Sequence, residues 1–247
     1  MEKEIEKKKE IEKKIHPLTV LPVKKTNKKT EYNIPYPMMQ PAFTTLVVAP
    51  TASGKSNMLC NLLKNVLFGY HNVFEEIYYI SPTVMLDDTL KSVAKDEQII
   101  KIHDVDELEL IDHILSDLVK EQKKKDEDDR KPLLVVLDDC LEYFSNHSVL
   151  NNLPALSRHY KISFIILTQV YSAFPSRARK NCSHIIIFKL YNKKDLKAID
   201  DEVGSNYENF MEQYVEATKE KYSFLYLNNT TKDVFKNFTT IKNVNYP

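Results

Sequence analysis

The segment Ala49-Pro50-Thr51-Ala52-Ser53-Gly54-Lys55-Ser56 constrains this chain more than any other. It fits the phosphate-loop pattern G-x-x-x-x-G-K-[ST], except that Ala49 stands in the first Gly position. Such a loop works between a strand and a helix, because successive backbone N–H groups must wrap an anion at a helix N-terminus. Thr45 to Val48 is a short apolar run and reads as the strand. Met58, Leu59, Leu62, Leu63, Val66 and Leu67 then repeat with helical period and read as one face of the helix. The chain has only 3 glycines, and Gly54 falls where the backbone must approach a phosphate. Pro50, Thr51, Ala52, Ser53, Gly54, Lys55 and Ser56 are therefore the candidate nucleotide-binding residues. In this pattern Lys55 reaches the β- and γ-phosphates and the Ser56 hydroxyl ligates Mg²⁺.

The rest of the chain suits that context. The continuous apolar run Leu133 to Leu137 reads as a buried strand of a parallel sheet, and the largely apolar runs Ile77 to Ile80, Ile99 to Ile102, Ile162 to Leu167 and Ile185 to Leu190 read as its neighbours. Helical patterns over roughly 106–123, 152–159, 193–203 and 208–219 alternate with them, and the charged stretch Glu121 to Lys131 reads as a surface loop. Tyr222 to Leu227 and Val234 to Phe238, around Asn228-Asn229, read as a C-terminal β-hairpin. The fold class is α/β, with a mostly parallel central sheet flanked by helices, over residues 36–247. Residues 1–35 are a Lys/Glu-rich arm and a linker holding Pro17, Pro22 and a Lys cluster. The arm reads as a solubilising segment or as a contact for a partner or DNA.

Composition removes several function classes. Lys plus Arg is 35 and Asp plus Glu is 35, so neither a histone-like basic protein nor an acidic solvating tail is described. Cys60, Cys140 and Cys182 are scattered without C-x-x-C spacing, which argues against a disulfide framework or a zinc site and for a reducing compartment. The apolar runs are too short to cross a bilayer, and the charged N-terminus has no signal-peptide core. Neither secretion nor a membrane partner is expected.

Leu133 to Leu137 ends in Asp138-Asp139. Ligands of open α/β sheets bind at the carboxyl ends of strands, so Asp138 is expected near Ser56 on Mg²⁺, and Asp139 as the group that orients or deprotonates the attacking water. Ile162 to Leu167 ends in Thr168-Gln169, and the Gln169 amide is placed to sense a γ-phosphate. Only 4 of the 35 basic residues are Arg, and three of them flank this strand: Arg158 ends the helix before it, and Arg177 and Arg179 lie in the loop after it. A planar guanidinium fork suits phosphate, so one of the three is expected to act in trans on a neighbouring subunit's nucleotide.

The phosphate loop, Leu137-Asp138-Asp139, Arg158-His159, Thr168-Gln169 and Pro175 to Asn181, in that order, resemble the genome-packaging ATPase of nucleocytoplasmic large DNA viruses and virophages, the poxvirus-type branch of the FtsK–HerA superfamily of P-loop ATPases. The resemblance covers about residues 38–240. It implies a RecA-like fold with an extra strand between the phosphate-loop strand and the acidic strand. It implies an ATP-hydrolysing homo-oligomeric ring that pumps double-stranded DNA into a preformed capsid. ATP and Mg²⁺ are the implied cofactors, capsid or portal-vertex proteins the implied further partners, and the virion and host cytoplasm the implied location. By the resemblance Lys55 and Ser56 bind nucleotide and Mg²⁺, Asp138 supports the metal, Gln169 is the sensor and Arg158 leads as finger; Arg179 and Asn181 match a family-like loop without an assigned role, and Arg177 and Arg179 stand as weaker finger candidates by their position alone. Asp139 stands where the wider superfamily often has Glu, one methylene longer.

Two rivals keep the phosphate loop. A nucleotide kinase carries several lid arginines for its acceptor, whereas the arginines here surround the glutamine strand. A nucleotide-binding assembly switch or structural component of a virion vertex needs Lys55 and Ser56 but not repeated turnover, so DNA-stimulated hydrolysis separates it from a motor.

Overall fold

The apolar runs become the strands of one sheet. The computed structural model describes residues 32–64, 68–70, 72–83, 100–104, 108–140 and 152–240. The arm through residue 31, Val66, Leu67 and Ile99 lie outside the described residues. In chain order the elements are β1 (Thr44–Val48), α1 (Lys55–Lys64), β2 (Glu76–Ser81), β3 (Ile100–Asp104), α2 (Leu108–Lys124), β4 (Leu133–Asp138), α3 (Leu153–Tyr160), β5 (Ile162–Thr168), α4 (Ser176–Asn181), β6 (His184–Phe188), α5 (Lys193–Glu202), α6 (Phe210–Ala217), β7 (Phe224–Asn228), β8 (Val234–Lys236) and β9 (Thr239–Thr240).

The strands form a 9-stranded sheet in the order β3-β2-β4-β5-β1-β6-β7-β8-β9. β1 to β6 are mutually parallel, and β7, β8 and β9 continue the sheet antiparallel. The phosphate-loop strand β1 is thus separated from the acidic strand β4 by β5, the strand that ends at Thr168. The terminal hairpin is present as β7 and β8, and it is extended by the two-residue β9, which the sequence reading had placed in no element.

The strands are apolar on both faces because both faces are covered. Alternate residues, such as Leu46, Val48, Val135, Leu137, Phe164 and Ile166, join one core cluster with Ile111, Leu115, Ile199 and Tyr214 from the helices. Their neighbours, such as Val47, Leu134, Val136, Ile165, Leu167 and Ile186, join a second cluster with Met58, Leu59, Leu62 and Leu63 of α1. On that second face Ile34, Met38 and Met39 cover apolar surface. Ile34 is buried although it falls in the stretch read as linker, so packed structure begins before residue 36. The Tyr226 hydroxyl donates to the Pro37 carbonyl at 3.0 Å and ties this segment to β7.

Two local readings need correction. α2 runs to Lys124, into the charged stretch read as loop. Its last turn is held because Gln122 is buried and donates to the Lys131 carbonyl, while Lys124 pairs with Glu121. Arg177 and Arg179 lie on a short helix, α4, not in a loop. Six residues give too little apolar periodicity to announce a helix. All three cysteines are buried, and none of them forms a disulfide. No helix among the described residues is long and apolar enough to cross a membrane.

Candidate functional site: the carboxyl edge of the sheet

The parallel register brings three strand ends together. Val48 of β1 pairs with Thr168 of β5, and Asp138 of β4 pairs with Leu167 of β5. The loop leaving β1 therefore opens beside the acidic strand end, with Gln169 between them. The Ala49 N–H donates to the Thr168 carbonyl at 2.9 Å and prolongs the β1–β5 ladder by one residue. Ala49 is wholly buried in the second core cluster, and the left-handed positions of the loop are Ala52 (φ 59°) and Gly54 (φ 98°). The first position of the motif thus makes no demand here that only Gly can meet, which explains why Ala serves. α1 follows at once, with the Met58 N–H donating to the Gly54 carbonyl at 2.9 Å. The first N–H groups of α1 therefore lie at the loop, where its dipole favours an anion.

Lys55 is the hub. Its Nζ lies 2.9 Å from Asp138 Oδ1 and 2.5 Å from Asp139 Oδ2. Burial alone would lower the Lys55 pKa, but the two carboxylates outweigh it and hold the ammonium above its ordinary value. Asp138 is only 4% exposed, and burial raises its pKa despite the opposing pull of Lys55 and of the Tyr79 hydroxyl, which donates to Oδ2. Asp139 takes a left-handed backbone (φ 55°), which turns its carboxylate toward Lys55 and Gln169. The Gln169 amide bridges the loop and the acidic strand. Its Oε1 accepts from the Thr51 hydroxyl at 2.9 Å, and its Nε2 donates to Asp139 Oδ1 at 3.3 Å. Cys140 closes the acidic run as a buried thiol pushed up to about 12 by desolvation, so it is inert as a nucleophile at neutral pH.

Thr51, Lys55, Asp138, Asp139 and Gln169, from three separate elements, thus form one hydrogen-bonded cluster. Ser56 is the next helical residue and is half-buried. Tyr79 is a member that the sequence reading missed. Nothing in the run Ile77 to Ile80 distinguishes a tyrosine aimed at β4 from one packed in the core.

The three arginines separate. Arg179 is 6% exposed and spends its guanidinium inside the subunit. Nε and Nη2 grip Glu202 at 3.0 and 2.6 Å, Nη1 donates to the carbonyls of Tyr171, Ser172 and Phe174, and the group lies 4.6 Å from the Tyr171 ring centroid. This corrects the reading of Arg179 as a trans-acting finger, because no free fork is left to give away. Arg177 and Arg158 are exposed. Arg158 lines a cleft of about 250 Å³ with Lys180, Asn229 and Lys232. That cleft lies by the start of β5 and the end of antiparallel β7, at the sheet edge opposite the phosphate loop. A hollow of about 550 Å³ bordered by Asp200, Tyr207 and Phe210 holds none of the catalytic candidates.

A parallel sheet with a phosphate loop after β1, two carboxylates after β4 and a glutamine after the intervening β5 defines a P-loop nucleoside triphosphatase. Residues 36–221 match the family model described as Poxvirus A32 protein, and the chain belongs to that family. No curated protein matches it by sequence. Among solved structures it is similar to B204, the DNA-packaging ATPase of Sulfolobus turreted icosahedral virus, with TM-score 0.60 and 14% identity over 83% of this chain and 100% of that one. The B204 genome-packaging NTPase of Sulfolobus turreted icosahedral virus 2 with ATPγS gives TM-score 0.59 and 15% identity, covering 82% and 100% of the two chains. The pCW3 conjugation coupling protein TcpA gives 0.53 and 15%, covering 79% of this chain and 59% of that one.

Proposed function

We propose that the protein is an ATP-hydrolysing motor that translocates double-stranded viral DNA into a preformed capsid. The observation that carries this is the connection of the phosphate loop to the acidic strand end through Gln169, in a chain of the Poxvirus A32 protein family whose fold matches DNA-packaging ATPases. Loop N–H groups and Lys55 bind the phosphates, and the exchange of carboxylate for phosphate partners at Lys55 frees Asp139 to take a proton from the attacking water. Gln169, held on both sides, responds to the γ-phosphate and passes its presence or loss to β5.

Among the described residues no cluster of three or more His, Cys, Asp or Glu could hold a metal. The donors that fit are the Ser56 hydroxyl and the Asp138 carboxylate, hard oxygens of the kind that hold Mg²⁺ together with a nucleotide's phosphates. When bound, Mg²⁺ would neutralise charge developing on the phosphate oxygens. The motor is proposed to act as a homo-oligomeric ring, with Arg158 or Arg177 reaching a neighbour's nucleotide. Capsid or portal-vertex proteins are its proposed docking partners, in the virion and host cytoplasm.

The test is steady-state ATP hydrolysis with and without linear double-stranded DNA, on the wild type and Lys55→Ala. Turnover stimulated by DNA and lost in Lys55→Ala is the expected result. Nucleotide binding without turnover, with or without DNA, overturns the motor and leaves an assembly switch.

A further inference from the structure

The cluster at Lys55 accounts for a triphosphate but offers nothing to a nucleoside. A second feature at the same edge of the sheet does. Tyr222 precedes β7, which runs antiparallel to β6, so it stands at the edge where β1 and β5 end. It lies on the other side of β1 from Asp138, Asp139 and Gln169, since β5 and β4 flank β1 on one side and β6 and β7 on the other. Its side chain rests on the phosphate loop: a Cβ built on Gly54 would meet Tyr222 Cδ1 at 3.2 Å, Cβ at 3.5 Å and Cγ at 3.6 Å. The residue is nevertheless 57% exposed, so much of its ring stays open to solvent beside the loop.

The turn that presents the ring is well anchored. Tyr222 has a left-handed backbone (φ 66°), a conformation that a bulky residue adopts only when its surroundings impose it. Ser223 donates to the Glu220 carbonyl from both its N–H (3.3 Å) and its hydroxyl (2.7 Å). Glu220 pairs with Lys236 of β8 at 2.9 Å, and the Phe224 N–H donates to Asn237 Oδ1 at 3.0 Å. The Lys221 ammonium stands 4.6 Å from the ring centroid, so the π-face already serves as a binding surface for an exposed, exchangeable group.

We infer that Tyr222 is the nucleobase platform of this site, on which the base of a purine nucleoside triphosphate stacks while the loop and Lys55 hold its phosphates. This rests on the nucleotide reading above and adds to it the nucleoside end of the substrate. The polarity is fixed by the sheet: the γ-phosphate end faces Gln169 and Asp139, and the nucleoside leaves the loop toward β7. Stacking reads a π-face rather than a hydrogen-bonding edge, so adenine and guanine are accepted alike and the larger purines are favoured over pyrimidines. Lys221 gives up the ring to the base and stays as a cation beside the nucleotide, because a base stack is stronger than an exposed ammonium–ring contact.

The test is calorimetric titration of the full chain with Mg-ATP and with Mg-tripolyphosphate, which has the phosphates without the nucleoside. The variants are Tyr222→Ala, Tyr222→Phe, Lys55→Ala and, as an exposed tyrosine in the loop after β6, Tyr191→Ala. Tyr222→Ala is expected to bind ATP about 10-fold more weakly, the loss of one base–aromatic stack, and tripolyphosphate within about 2-fold of wild type. Tyr222→Phe keeps the ring and should match the wild type. Retained tripolyphosphate binding also shows that the variant is folded. Equal weakening of both ligands by Tyr222→Ala overturns the platform, since the ring would then only support the loop. An unchanged ATP affinity, or an effect of Tyr191→Ala in its place, also overturns it. Lys55→Ala should lose both ligands. A wild type that binds tripolyphosphate but gains nothing from the nucleoside overturns the platform alone, whereas one that binds neither ligand sinks the nucleotide reading itself.

Discussion

Removing Lys55 should unfold the protein more easily as well as disable it, and the unfolding defect should depend on pH. Lys55 holds Asp138 at 2.9 Å and Asp139 at 2.5 Å, with side chains only 12%, 6% and 22% exposed. Taking away one partner of a buried pair strands the other and costs about 3–5 kcal/mol. The partial exposure of Asp139 places Lys55→Met toward the lower end, about 3 kcal/mol, or a fall in Tm of roughly 6–12 °C for a domain of this size. The sign with pH follows from Asp138, whose pKa burial already raises above the ordinary carboxylate value against the pull of Lys55. Without Lys55 that pKa rises further. A folded-state pKa above the unfolded one means that the native state binds the proton more tightly, so stability is gained as pH falls and lost as pH rises through it. The gap between wild type and Lys55→Met should therefore narrow steadily from pH 8 to pH 5. Asp138→Asn in the same chain should recover much of it, because the stranded charge is gone while Tyr79 keeps an acceptor. Thermal melts in EDTA at four pH values measure this. A gap that does not change with pH, or a double variant no better than the single one, would refute the charge argument.

Gln169→Ala should leave ATP affinity within about 3-fold and cut kcat by about 100-fold, the usual effect of losing one preorganised polar group; a fall in affinity with kcat unchanged would show a role in binding only. Arg179→Ala should lower stability by about 3 kcal/mol, the lower end for a buried pair because Glu202 is partly exposed, and Arg179→Lys should recover little of it since one ammonium cannot span that fork; denaturant unfolding measures both. When Arg179→Lys subunits are doped into wild type, ATP turnover should fall in proportion to the dose where Arg158 is the trans arginine, and more steeply where it is Arg177, whose helix the Arg179–Glu202 pair anchors. Gly54→Ala should cost roughly 1–2 kcal/mol in strain at φ 98° and press on the Tyr222 ring, so ATP binding should weaken and Tm should fall by roughly 2–8 °C.

The parallel core was legible because a strand covered on both faces is apolar at nearly every position, and Leu133 to Leu137 and, with Ser163 as its one polar residue, Ile162 to Leu167 carry that mark. The phosphate loop was legible because its chemistry fixes residues at set spacing within eight consecutive positions. Strand order in the sheet comes from pairings between distant segments and is written in no single window. The Tyr79 bond to Asp138 and the contact of Tyr222 with Gly54 depend on that order, so neither could be read from the chain. Arg179 misled for a related reason. Scarcity of arginine beside a glutamine strand points to phosphate, but the same planar fork also suits a carboxylate and a set of carbonyls that converge only in the folded chain.

The position of Arg158 gives the fold a direction. β5 runs for seven residues from Ile162 to Thr168, about 23 Å at the rise of an extended strand. Arg158 lies just before its start, and Gln169 just after its end. An arginine side chain reaches about a third of that distance, so Arg158 cannot serve the nucleotide of its own subunit. If it contacts a triphosphate at all, that triphosphate belongs to a neighbour. One strand would then carry the γ-phosphate response of its own site at one end and a charge for the next site at the other. In a ring, a shift of β5 driven by Gln169 would reach the adjacent nucleotide through Arg158 without any longer path through the subunit. Arg177, fixed on α4 by the pairing of buried Arg179 with Glu202, depends on a different anchor. Loss of that anchor should therefore disturb Arg177 and leave the β5 route intact.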